Sequence, residues 1–172
     1  MSDDPRTLEY QPAIDGVRAV AVTLVVLFHL GLTWMPAGYL GVSVFFTLSG
    51  YLITALLLAE FGRGGGVSFR RFYARRARRL LPASLLVLLA VVVARWLGEF
   101  ALVPGLRADL LGALLQVFNW VQLAGTTSYG ALFGRAAVFT SPLEHYWSLA
   151  IEEQFYLVWP VTMLALLRWS AR

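Results

Sequence analysis

The sequence predicts an all-α fold, a polytopic membrane helical bundle of about five transmembrane helices with its N-terminus in the cytoplasm. Three observations carry that prediction. Of 172 residues, 59% are hydrophobic and only 14% charged, too apolar a balance for a soluble domain of this size. The apolar residues gather into runs suited to crossing a bilayer, at about 14–34, 38–59, 80–97, 106–124 and 142–169. All fourteen basic residues are Arg, and seven of them fall between Arg63 and Arg79, between the second and third runs. The positive-inside rule assigns this 60–79 loop to the cytoplasm, and with it the N-terminus two crossings earlier. The same placement removes the net charge of +4 as a nucleic-acid signal.

Residues 1–13, with Pro5 and Pro12 in mostly polar company, read as a flexible tail. Asp3 and Asp4 stand where a cleavable signal would be basic, so the first helix is expected to remain as an anchor. That helix is expected to start at Asp15, which can cap it and which stands three residues before Arg18. Arg18 and His29 are eleven residues apart, so helical periodicity returns them to within about 20° of one face, about 16 Å apart along the axis. Ionisable groups inside a spanning helix cost several kcal/mol unless they face a partner or water, and so point to function.

Span two mixes small residues (Gly38, Gly41, Ser43, Ser49, Gly50) with aromatics, a composition that lets helices approach closely; Ser49 is also a hydrogen-bond donor for a neighbour or a substrate. The loop that follows is either a topology signal in contact with anionic lipid or an anchor for a phosphorylated cytoplasmic donor, since guanidinium groups bind phosphate oxygens bidentately. Span three opens with Pro82 in its first turn and ends at Arg95 and Trp96. Span four carries Gln116, Asn119, Trp120 and Gln122, as suits a helix packed inside a bundle, where Asn119 bonds a neighbour. Residues 125–141 form a loop, cytoplasmic by parity. In span five His145, Ser148, Glu152 and Tyr156 follow spacings of three, four and four and share a face; His145, Ser148 and Tyr156, with Ser49, Asn119 and Trp147, are the candidate substrate contacts. The bland reading of this stretch is an interfacial helix entry with Glu144 and Glu153 solvated; it is a poor account of Glu152, because the apolar run continues well past it to Leu167.

If spans one and five pack together, His29 and Glu152 form the natural intramembrane pair. A carboxylate fixes an imidazole's tautomer, as a general base acting on a hydroxyl requires, although tilt or stagger is needed to bring these two to one depth. The absence of cysteine excludes a thiol nucleophile, a disulfide framework and a Cys-based metal centre. Two histidines on separate helices do not make a metal site, so no metal and no permanently bound cofactor is expected.

Five stretches, in order, resemble the membrane acyltransferase-3 family of bacterial O-acyltransferases: IDGVRAVAVTLVVLFH, GYLGVSVFFTLSGYLIT, FYARRARRLLPA, the Asn119-Trp120 region and SPLEHYWSLAIEEQFYLVWP. Tyr146 departs from the pattern, standing where a small hydroxyl residue is common. The resemblance implies a multi-pass protein of the bacterial inner membrane. It would transfer an acyl group, often acetyl, from cytoplasmic acyl-CoA to a hydroxyl of a carbohydrate, cell-envelope glycan or small molecule. It makes His29 similar to the family's essential histidine, a general base, and Arg18 to its basic partner. Arg75, Arg76, Arg78 and Arg79 are similar to the Arg-x-x-Arg motif on the acyl-CoA side. Glu152, with Trp147 and Ser148, resembles the span-five signature. Residues 14–169 then correspond to the N-terminal half of such a membrane domain, with the C-terminal half separately encoded or absent. Two rivals remain at this level: a transporter whose Arg18, His29 and Glu152 relay protons or a polar substrate, and an inactive truncated fragment of the acyltransferase.

Overall fold

The computed structural model describes residues 11–32, 34–124 and 141–170, and these are helical, with no strand among them. The helices are α1 (Pro12–His29), α2 (Leu40–Gly64), α3 (Phe69–Trp96), α4 (Leu106–Leu114), α5 (Phe118–Ala124) and α6 (Tyr146–Ser170). Three of them, α1, α2 and α3, are long and apolar enough to cross a membrane. Helix α6 has 25 residues, but its polar opening dilutes the apolar run. The expected tail at 1–13 and the loop at 125–141 lie almost wholly outside the described residues.

The chain divides into two compact units: Met1–Val67 with Tyr156–Arg172, and Ser68–Phe155. In the first unit α1 starts at Pro12, three residues before the expected start at Asp15. A proline fits the first turn because its missing N–H is one that no helix bonds there. Asp15 is therefore a first-turn residue and not the cap, and the helix closes at His29 instead of running on to 34. The return is tight: Gly31 takes φ +69°, and Gly38 and Gly41 then bring the chain back against α1. A β-carbon at Gly38 would strike the Leu24 carbonyl oxygen and Phe28; one at Gly41 would strike the Ala21 carbonyl oxygen and Val25. As the glycines advance their partners recede, so α2 runs antiparallel to α1.

Packing is thus the reason for these two glycines. Gly41→Ala is expected to destabilise the protein by about 1–3 kcal/mol, because the obstructing atom is main chain and cannot turn aside. Thermal unfolding of the whole protein in detergent would measure this. Ile53 and Leu57 are fully buried further along α2, and Thr54 accepts a hydrogen bond from Trp159 Nε1 at 2.8 Å.

The second unit overturns three expectations. Residues 60–79 are not a loop. Helix α2 continues to Gly64, Gly65 ends it at φ +63°, and α3 begins at Phe69, so all seven arginines ride on helix, Arg63 on α2 and the other six on α3. Pro82 consequently lies in the interior of α3, not in its first turn. Span four does not form one helix. The chain breaks after Leu114, Gln116 adopts φ +56°, and α5 folds back so that Val121 lies against Gly112. Among the described residues the segment is two short helices, of nine and seven residues, and not one continuous crossing. The parity count that put residues 125–141 on the arginine side rested on that crossing.

Leu88 and Val91 of α3, Leu106, Ala113 and Phe118 of the broken segment, and Leu143, Tyr146 and Ala150 make the unit's core. The Tyr146 hydroxyl donates to the Ser84 carbonyl at 2.9 Å, and Ser84 Oγ lies 3.4 Å from the same hydroxyl. The tyrosine that departs from the family pattern therefore ties α6 to α3.

Candidate functional site

Helix α1 presents the histidine. His29 occupies its last turn with the side chain exposed, and Nδ1–H donates to the Val25 carbonyl one turn back, at 2.7 Å. A carbonyl can only accept, so this bond places a proton on Nδ1, and in the neutral ring the lone pair is then on Nε2. Phe28 meets the ring edge-on at 5.4 Å between centroids, which limits its rotation. Because α1 is unbroken, Arg18 and His29 keep one face, about 16 Å apart. Arg18 does not reach the imidazole; its Nη1 lies 3.8 Å from Asp15 Oδ1 and it stays partly exposed. Ser49 is half-buried on α2, and Tyr156, at 3% exposure, is enclosed in the same unit.

In the second unit the arginines divide. Arg70, Arg71, Arg75, Arg78 and Arg79 are exposed, with Arg78 Nε donating to the Ala74 carbonyl at 3.1 Å. Arg76 turns inward: it is half-buried, its guanidinium lies 5.6 Å from the centre of the buried Phe72 ring, and it attracts the Glu153 carboxylate. Glu153 is therefore not solvated in the way the bland interfacial reading has it. It is half-buried, and its Oε1 is enclosed with no hydrogen-bond partner among the described residues. Glu152 beside it is also half-buried. His145 and Trp147 are exposed at the start of α6, and Ser148 Oγ donates to the His145 carbonyl at 3.1 Å. His29 and Glu152 belong to different units.

The residue that sequence reasoning missed is Gln154. Its Nε2 donates to the Gln116 carbonyl at 3.0 Å and to Asn119 Oδ1 at 2.9 Å. Its Oε1 accepts from Asn119 Nδ2 and Trp120 Nε1, both at 3.3 Å. One amide thus closes the break between α4 and α5, where the helix ladder leaves main-chain groups unpaired. Asn119 does bond a neighbouring helix, which commits its amide to structure. The signal was available in the composition: Gln116, Asn119 and Gln122 needed an amide partner in an otherwise apolar chain, and Gln154 lies within the apolar run of α6.

A family model described as an acyltransferase domain matches residues 11–172. Among curated proteins, the chain is 41% identical over 161 residues to the peptidoglycan O-acetyltransferase OatA of Listeria monocytogenes, covering 94% of this chain and 25% of that protein. It is 43% identical over 155 residues to YrhL of Bacillus subtilis, provisionally named a peptidoglycan O-acetyltransferase, covering 90% and 24%. A provisionally named O-acetyltransferase of Staphylococcus aureus is 40% identical over 162 residues, covering 94% and 26%. The chain therefore spans about a quarter of the length of these relatives. No solved structure matches it.

Proposed function

Since the chain belongs to the acyltransferase family whose model covers residues 11–172, we propose that the protein containing it transfers an acetyl group to a hydroxyl of a cell-envelope glycan at the bacterial cytoplasmic membrane. Peptidoglycan is the first candidate acceptor, because relatives over 40% identical carry that name. The observation that carries the reading is the tautomer of His29, whose Nδ1–H is spent on Val25. Nε2 takes the proton of the acceptor hydroxyl as that oxygen attacks the acyl carbonyl carbon. A new C–O bond forms. With acyl-CoA as the donor, the thioester C–S bond breaks and the departing thiolate recovers the proton from Nε2, releasing the free thiol.

Arg18, on the same face of α1, would attract the negative charge of donor or acceptor, and Glu152 supplies a supporting carboxylate. The exposed Arg75, Arg78 and Arg79 suit the donor's phosphates, whereas Arg76 is held inward by Phe72. His145, Trp147 and Ser148, with Ser49, are the candidate acceptor contacts, and Trp147 offers a ring face to a sugar. Membranes holding the whole protein, supplied with labelled acetyl-CoA, are expected to place base-labile acetyl esters on the glycan. Flux of a polar solute with no acylated product would overturn this reading in favour of a relay.

A further inference from the structure

Near His29 the first unit gathers aromatic rings to which acyl transfer, as proposed, gives no task. Phe28 makes an edge contact with the imidazole at 5.4 Å and another with Tyr39 at 5.9 Å, so a single phenyl ring joins the base to the phenol. The chain leading into Tyr39 is a run of hydrogen-bonded turns. Met35 N–H donates to the Leu32 carbonyl at 3.0 Å, Gly38 N–H to the Met35 carbonyl at 3.3 Å and Leu40 N–H to the Ala37 carbonyl at 3.0 Å. Gly38 lies so close to Leu24 and Phe28 that no β-carbon fits, which sets the main chain beside Tyr39 against the last turns of α1. Tyr39 is nevertheless 55% exposed. An edge contact takes at most one of a ring's two faces, so a face of this phenol stays open near the base.

Aromatic residues also gather at membrane interfaces without binding anything, and that accounts for Trp34, 65% exposed in the same turn. It does not account for a phenol fixed one ring away from the imidazole. We propose that Tyr39 binds the acceptor sugar: the C–H face of a pyranose stacks on the open face of its ring while a hydroxyl of that sugar reaches His29 Nε2. The proposal rests on the reading of His29 as the base. A flat apolar ring with a hydroxyl at its edge matches a pyranose, which has an apolar C–H face and a rim of hydroxyls. A ring held in place beforehand loses little further freedom when the sugar arrives. Helix α2 leads from this turn to Arg63, so the turn lies at the end of the helix away from that arginine. The positive-inside rule gives that end to the side on which a cell-envelope glycan is found.

The test titrates the whole protein in detergent, without any acyl donor, with a soluble β-1,4-linked tetramer of N-acetylglucosamine, and reads the dissociation constant by calorimetry. The wild type is expected to bind it, and Tyr39→Leu to bind about five- to tenfold more weakly. Tyr39→Phe, which keeps the ring and its contact with Phe28, is expected to stay within about twofold of the wild type. Ring protons of the bound tetramer are expected to move upfield on the wild type, as stacking on an aromatic face requires. No binding by the wild type, no upfield shift, or wild-type affinity in Tyr39→Leu would overturn the proposal. So would an equal loss in Trp34→Leu, which would make Tyr39 an interface anchor only. Acetyl transfer by His29→Asn reads the base apart from sugar binding, so failure of the base and failure of the sugar site are distinguishable.

Discussion

Replacing His29 with asparagine is expected to lower acetyl transfer by about 10²–10⁴-fold while leaving α1 folded. The choice of asparagine follows from the geometry. Its amide nitrogen takes nearly the place of imidazole Nδ1 and can still donate to the Val25 carbonyl, so the bond at 2.7 Å survives. What disappears is Nε2, and with it the only basic atom of the side chain. His29→Ala would remove both and mix a structural loss with the chemical one. The measurement is acetyl ester formed by the whole protein at saturating donor, with the variant's unfolding temperature as control. Wild-type turnover in the asparagine variant would remove His29 from the chemistry. A fall in turnover matched by a fall in unfolding temperature would mean that the ring acts through packing against Phe28, at 5.4 Å.

The second large effect is expected at Gln154. Leucine there would fill similar volume but strand the Gln116 carbonyl and both ends of the Asn119 amide, besides releasing Trp120 Nε1. Each hydrogen bond is worth about 1 kcal/mol net, and a buried group left unpaired costs about 1–3 kcal/mol. The shared partners make these contributions non-additive, and a loss of about 3–5 kcal/mol in stability is expected. Gln154→Glu should cost less than leucine because it keeps the acceptor for Asn119 Nδ2 and Trp120 Nε1, although it loses both donor bonds and sets an acceptor oxygen against the Gln116 carbonyl. Unfolding in detergent orders the three proteins, and hydrogen exchange around Gln116–Asn119 locates the change. Faster exchange confined to that break, with the rest of α3 and α6 protected, is the expected pattern.

Much of this arrangement was legible in the sequence because it rests on local periodicity and composition. The long apolar helices, the shared face of Arg18 and His29, and the close-packing role of Gly38 and Gly41 depend on residues near one another in the chain. The errors came where a distant partner decides. Arginine is a good helix former, so Arg70–Arg79 could be read either as loop or as helix; the inward Phe72 and Arg76 settle it as helix. Span four had the length and apolarity of one helix, and nothing local announces that Gln116 takes φ +56°. That conformation is supported from α6, some forty residues away, by Gln154. The bland reading of Glu153 fails for the same reason, since the guanidinium that attracts its carboxylate, Arg76, belongs to α3 and is distant in the chain. The roles of Glu152, His145 and Trp147 rest on motif likeness, which geometry within a single unit does not address.

Pro82 has a consequence for where the protein sits. A proline inside a helix has no N–H for the carbonyl four residues earlier, here that of Arg78. At the level of the headgroups, water satisfies that oxygen at little cost; one turn deeper, hydrocarbon would leave it bare at several kcal/mol. The arginines resist sinking through their charge, and the proline resists it through a neutral main-chain oxygen that salt cannot screen. Pro82 thus adds a preference, one that salt cannot screen, for keeping this turn of α3 in contact with water.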